Sequence, residues 1–168
     1  MIEVVIDSIR VSLISTQRIV MLRNVDGEQQ LPIWIGPFEA EAIAIELQDT
    51  EIARPLTHDL LKNVIEEMGG TITHILISEL RDSVFYARLF VRTNGRSKDI
   101  DCRPSDAIAM AVRCKVPIYV NEEVMREAGI LPEPDISERD SAETRSEGPA
   151  EETPDAFKDF LDSLDFDQ

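Results

Sequence analysis

A chain of 168 residues with 43% hydrophobic and 5% aromatic residues holds enough apolar material for one packed, mostly aliphatic core, which excludes a wholly disordered protein and leaves little room for a second independent domain. The net charge of −16, without any lysine- or arginine-rich block, excludes a dedicated basic nucleic-acid reader, although 13 acids and 3 bases lie beyond residue 130 and the rest of the chain is only mildly acidic. No apolar run approaches the roughly 18 residues of a membrane span, acids stand where a signal peptide carries bases, and Cys102 and Cys114 lack both disulfide-framework and metal-site spacing; the expectation is a cytoplasmic protein with reduced core cysteines and no membrane partner.

The first third reads as strands. Ile2, Val4 and Ile6 alternate, and Ile9, Val11 and Leu13 alternate again. Short apolar runs follow at Ile19 to Leu22 and Leu31 to Ile35, with Asp26-Gly27 between them as a hairpin signal, because both residues tolerate positive φ. After Gly36-Pro37, Phe38 to Gln48 reads as a helix that is apolar most of the way round. Such a helix is covered on two sides, either within the chain or by a second subunit, so a homo-oligomer is expected. A second helix carries Leu60, Leu61, Val64, Ile65 and Met68, with Thr57 expected as its N-cap, Asp59 in its first turn and Gly69-Gly70 as its exit.

Strands then follow at Ile72 to Leu80 and Val84 to Arg92, joined by Arg81-Asp82-Ser83, and Asn94-Gly95 turns the chain into Ser97 to Cys102. Arg103-Pro104-Ser105-Asp106 opens a third helix, Pro117 to Val120 gives a last strand, and Asn121 caps a short helix from Glu122 to Ala128. The predicted class is α+β, with a mixed, mostly antiparallel sheet and three main helices over residues 1–130. Residues 131–152, with three prolines and many acids, read as a flexible linker; Phe157, Phe160, Leu161 and Leu164 within 153–168 share a face at i, i+3, i+4, i+7 of a short amphipathic helix.

No phosphate-binding loop, dinucleotide fingerprint or nucleophile elbow is present. The chemistry concentrates at two helix entrances, where free N–H groups and a partial positive charge suit a phosphate. Arg54 and Thr57 stand at one, Arg103 and Ser105 at the other, and these four are the phosphate-binding candidates. His58 can move a proton near neutral pH, and Asp59, Asp101 and Asp106 are candidates to activate water, directly or through a metal. Glu39 and Glu41, with those aspartates, are oxygen donors suited to Mg²⁺ or another divalent cation. Each of these residues also has a structural use: Thr57 and Ser105 as caps, Asp59 and Asp106 against the helix dipoles, the arginines in internal ion pairs.

Three segments together resemble the bifunctional nuclease domain family: Leu31 to Ala40 (LPIWIGPFEA), Arg54 to Leu61 (RPLTHDLL) and Asp101 to Ala109 (DCRPSDAIA), supported by Phe85-Tyr86-Ala87 and Pro117 to Val120. The resemblance covers about residues 1–130, and the segment around Phe157 to Leu161 looks like a tail of some bacterial members. It implies an α+β domain and hydrolysis of DNA and RNA, as in the plant relatives that gave the family its name. Matched position by position, the family's polar motif residues fall on Glu39, Glu41, Arg54, Thr57, His58, Asp59, Asp101, Arg103, Ser105 and Asp106.

Two functions are then expected in competition. One is a nuclease acting on nucleic acid with low sequence specificity. The other is a non-catalytic oligomeric module that docks a protein partner through its C-terminal helix. The first requires the segments 54–59 and 101–106 to meet at one accessible cleft.

Overall fold

The phase of alternation slips between Ile6 and Ile9, and the backbone explains why. In the computed structural model, which describes residues 1–11 and 17–132, both sets belong to one strand, β1 (Ile2–Val11), interrupted by a bulge between Ile6 and Ser8. One extra residue at Asp7 shifts the period-two pattern by one and keeps Ile9 against the core, while Val11 at the strand end is exposed. Leu13 lies outside the described residues, as do the proposed C-terminal helix and the linker from residue 133 on.

Strands β2 (Arg18–Asn24) and β3 (Gln30–Ile35) follow, then α1 (Pro37–Leu47), α2 (Thr57–Glu67), β4 (Gly70–Arg81), β5 (Val84–Thr93), β6 (Arg96–Cys102), α3 (Pro104–Cys114), β7 (Ile118–Val120) and α4 (Glu122–Ala128). The seven strands form one mixed sheet in the order β3-β2-β1-β7-β4-β5-β6. Every pairing is antiparallel except β4 with β7. The α+β expectation therefore holds, with α4 as a short fourth helix capped by Asn121, whose side chain accepts from the Glu123 N–H at 3.1 Å.

Turn chemistry sets the hairpins. Asp82 and Ser83 both take positive φ, as do Asn94 and Gly95, which matches two-residue turns whose twist suits the flanking strands. Between α2 and β4, Gly69 adopts φ +75° to end the helix. Its neighbour Gly70 is needed for space, because a Cβ there would fall 2.9 Å from Ile65 Cγ2 and 3.0 Å from the Ile65 carbonyl.

One apolar core lies between the sheet and the helices. From the sheet come Val4, Val20, Leu22, Leu31, Ile33, Ile75, Ile77 and Leu89, and from α3 Ala107 to Ala111, all 7% exposed or less. The central helix is α3, with eight of its eleven residues buried. The outer helices differ from it: α1 buries only Ala40 and Ile43, leaving Phe38 81% exposed, and α2 buries no residue at all. The second cover expected for α1 is thus not supplied by the described residues.

Candidate functional site

Three helix-proximal segments meet at one cleft of about 670 Å³. Phe38, Glu39, Glu41, Ala42 and Ile45 of α1 form one wall, Pro55 to His58 at the entrance of α2 form another, and Arg103 and Asp106 of the α3 entrance close the floor. A Pro at the first position of α1 and of α3 fixes the chain direction into each helix. Consequently Glu39 and Asp106 each sit in the third position of a first turn, where a carboxylate is favoured by the helix dipole.

These side chains form a connected network. Arg103 donates from Nε to Asp106 Oδ2 at 2.7 Å and from Nη2 to Asp106 Oδ1 at 3.0 Å. Its Nη1 pairs with Glu39 Oε1 at 3.0 Å. Gly36 leaves open the space that Glu39 Oε2 occupies, where any side chain would collide. A guanidinium carries five N–H donors, so the second hydrogen of each terminal nitrogen stays available to a ligand. The Arg103 side chain is 65% exposed and can present them.

His58 joins the same carboxylate: its Nε2 lies 3.2 Å from Asp106 Oδ1, and its side chain is 12% exposed. Burial acts to raise the Asp106 pKa, but the hydrogen bonds and charges of Arg103 and His58 outweigh it and hold the carboxyl below the ordinary 3.8. Asp106 is therefore an ionised, acceptor-only group, and His58 Nε2 carries the hydrogen. The basic lone pair of the neutral ring then sits on Nδ1, which has no hydrogen-bond partner among the described residues.

A depressed folded-state pKa gives stability that is complete above the unfolded-state value and is lost as pH falls through the folded one. The difference in urea midpoint between the wild-type protein and Asp106→Asn should accordingly narrow as pH falls below about 4. A difference that stays constant into the acid range would contradict the ionised pair.

The remaining candidates lie apart from this network or play another part. Thr57 lines the cleft but is the first helical residue, not the cap; Leu56 is the cap, and its N–H is satisfied at 2.7 Å by Asp59 Oδ2. Asp59 does not line the cleft. Its other oxygen accepts from Arg113 Nε at 2.7 Å, and although burial acts to raise its pKa, the Leu56 N–H and Arg113 hold it below the ordinary carboxylate value. Asp101 is exposed on β6, opposite Arg88 in register. Ser105 is buried beside a separate depression, and Arg54 is exposed with no ion pair to the described residues. Burial pushes the Cys102 thiol up to about 11, with nearby Asp106 and Asp101 adding to the shift, so it is no nucleophile at neutral pH.

Arg113 is the functional residue that sequence reasoning missed. Its side chain is 2% exposed and reaches all three helices around the cleft: Asp59 on α2, the Ala42 carbonyl on α1 at 3.0 Å, and the Ala109 carbonyl of its own α3 at 3.0 Å. The available signal was a lone arginine at the end of an otherwise apolar helix face. Its partners, 54 and 71 positions away, had none.

As for a divalent cation, Glu39 and Glu41 do share the cleft wall. Glu39, however, is committed to Arg103 and both Asp106 oxygens are bonded, and no cluster of three or more His, Cys, Asp or Glu suited to a metal occurs among the described residues. The donor set does not fit a resident metal centre.

Comparison with known proteins matches residues 20–133 to the family described as "Bifunctional nuclease domain". An uncharacterized protein of Mycobacterium tuberculosis (strain H37Rv) is 41% identical over 162 residues, covering 96% of this chain and 94% of its own length. Bifunctional nuclease 1 of Oryza sativa subsp. indica is 31% identical over 115 residues, 66% of this chain and 35% of its own. Bifunctional nuclease 2 of Arabidopsis thaliana is 32% identical over 107 residues, 61% of this chain and 32% of its own. The matched region thus spans about a third of these plant proteins and nearly all of the mycobacterial one.

Proposed function

The chain belongs to the bifunctional nuclease domain family, and from that membership we propose that its cleft hydrolyses phosphodiester bonds of DNA and RNA with little sequence preference. The observation that carries this reading is the linked set His58, Asp106 and Arg103 at the floor of one accessible cleft. A phosphate placed there accepts the two spare Arg103 hydrogens, with the Thr57 hydroxyl and the positive end of α2 beside it. His58 Nδ1 takes a proton from water as the water oxygen attacks phosphorus, and Asp106 stabilises the imidazolium that forms. The phosphorus–oxygen bond to the leaving nucleoside then breaks, and the departing oxygen recovers a proton from the imidazolium or from solvent.

Low specificity agrees with the lining. It contains no Asn or Gln, and three of its groups that could otherwise read a base edge, Arg103, Glu39 and Asp106, are bonded to one another. Glu39, Glu41 and Asp106 are the oxygens a divalent cation would meet if one entered with substrate, and the cation would offset the repulsion between them and a polyanion. No step above depends on it.

The test is cleavage of single-stranded DNA and RNA by purified protein, with Mg²⁺, with Mn²⁺ and with chelator. Cleavage of both polymers supports the proposal. Intact polymer in every arm removes it and favours the non-catalytic module.

A further inference from the structure

Helix α2 poses the problem that the proposed hydrolase leaves unsolved. It is amphipathic, yet none of its residues is buried, and its outward stripe continues from the cleft wall at Leu56 through Leu60, Val64 and Met68 at i, i+4, i+8, i+12. Leu60 is 59% exposed, Val64 43%, Met68 78%, and Leu61 beside them 42%. Phe38, 81% exposed, borders the same cleft as Leu56 and adds to the uncovered apolar area. Together these side chains expose on the order of 500 Å² of apolar area. That lies at the upper end of what a monomer leaves uncovered, and it matches the apolar share of the roughly 800 Å² that each partner buries in a standard interface.

Charge around the stripe is self-complementary. At the α2 entrance stands Arg54; at its exit stand Glu66 and Glu67, where acids oppose the helix dipole. All three are exposed and form no ion pair among the described residues. If two copies of α2 pack antiparallel about a two-fold axis, each Arg54 meets the acids at the end of the partner's helix, twice per dimer, while the two stripes cover each other. A foreign partner would need to supply the same order of charges by coincidence.

We propose that α2 is the dimerisation helix of this protein, pairing antiparallel with α2 of a second copy through Leu60, Val64 and Met68, with Arg54 against the partner's α2 exit. Arg54 thereby has an interface role and not a phosphate-binding one. The pairing borders the cleft but does not depend on its activity.

Sedimentation equilibrium of the full-length chain tests this independently of nuclease activity. Wild-type protein is expected as a dimer at tens of micromolar, and the Leu60→Asp/Met68→Asp protein, checked for native far-UV circular dichroism, as a monomer. Both positions are exposed, so the charges should not block folding. Arg54→Glu should weaken the dimer about tenfold or more, and adding Glu67→Arg to it should restore association. A monomeric wild-type protein, a dimer indifferent to the stripe substitutions, or a charge swap without rescue would each overturn the proposal.

Discussion

Replacing Arg113 by alanine is expected to destabilise the folded domain by about 3–5 kcal/mol, the usual cost of breaking a buried ion pair from one side. The loss goes beyond a single contact. Asp59 would keep its charge, 22% exposed, without the guanidinium that faces it, and the Ala42 and Ala109 carbonyls would each lose a donor. Measured against a typical total of about 5–15 kcal/mol, that is a large fraction of the stability of the domain. Arg113→Lys should recover only part of it, because an ammonium is a point charge and cannot span acceptors on three helices. Urea denaturation of the three proteins checks this; an alanine variant within about 1 kcal/mol of wild type would mean that the helices hold their places without the guanidinium.

That architecture was only partly readable beforehand. Strands and helices were legible because each carries a local cause: the slip in alternation at Asp7, Asn94-Gly95 at a hairpin, Gly69-Gly70 at a helix exit, Asn121 at a cap. Strand order was not, since β1 beside β7 and β7 parallel to β4 join segments far apart in the chain with no local signature. The two helix entrances were identified as the site of chemistry, but the choice among their residues needed geometry. Thr57 is the first helical residue and not the cap, and the Asp59 carboxylate reaches back to the N–H of the cap residue Leu56. Asp59 and Asp106 hold equivalent first-turn positions in α2 and α3, and only the packing of α3 between its neighbours turns one toward Arg113 and the other toward His58.

His58 carries the second large effect. Removing its imidazole takes away the one group in the cleft that can both accept and return a proton near neutral pH, and general acid–base contributions of this kind amount to about 10²–10⁴-fold in rate. Neither Glu39 nor Asp106 substitutes for it, because Arg103 engages both and holds the Asp106 carboxyl below its ordinary value, where it is a poor base. Glu41, also on the cleft wall, belongs to neither pair, but a carboxylate is intrinsically a far weaker base than an imidazole. The fold should survive the change, since the His58 ring makes one hydrogen bond and the α2 entrance is held separately through Asp59 and Arg113.

The most direct measurement is single-turnover cleavage of a labelled single-stranded oligonucleotide by wild-type and His58→Ala proteins taken through the same purification. Cutting by the first and a rate at least about 10²-fold lower for the second are expected, with both proteins folded at the assay temperature. Equal rates from both proteins would place the chemistry somewhere other than the His58–Asp106–Arg103 cleft.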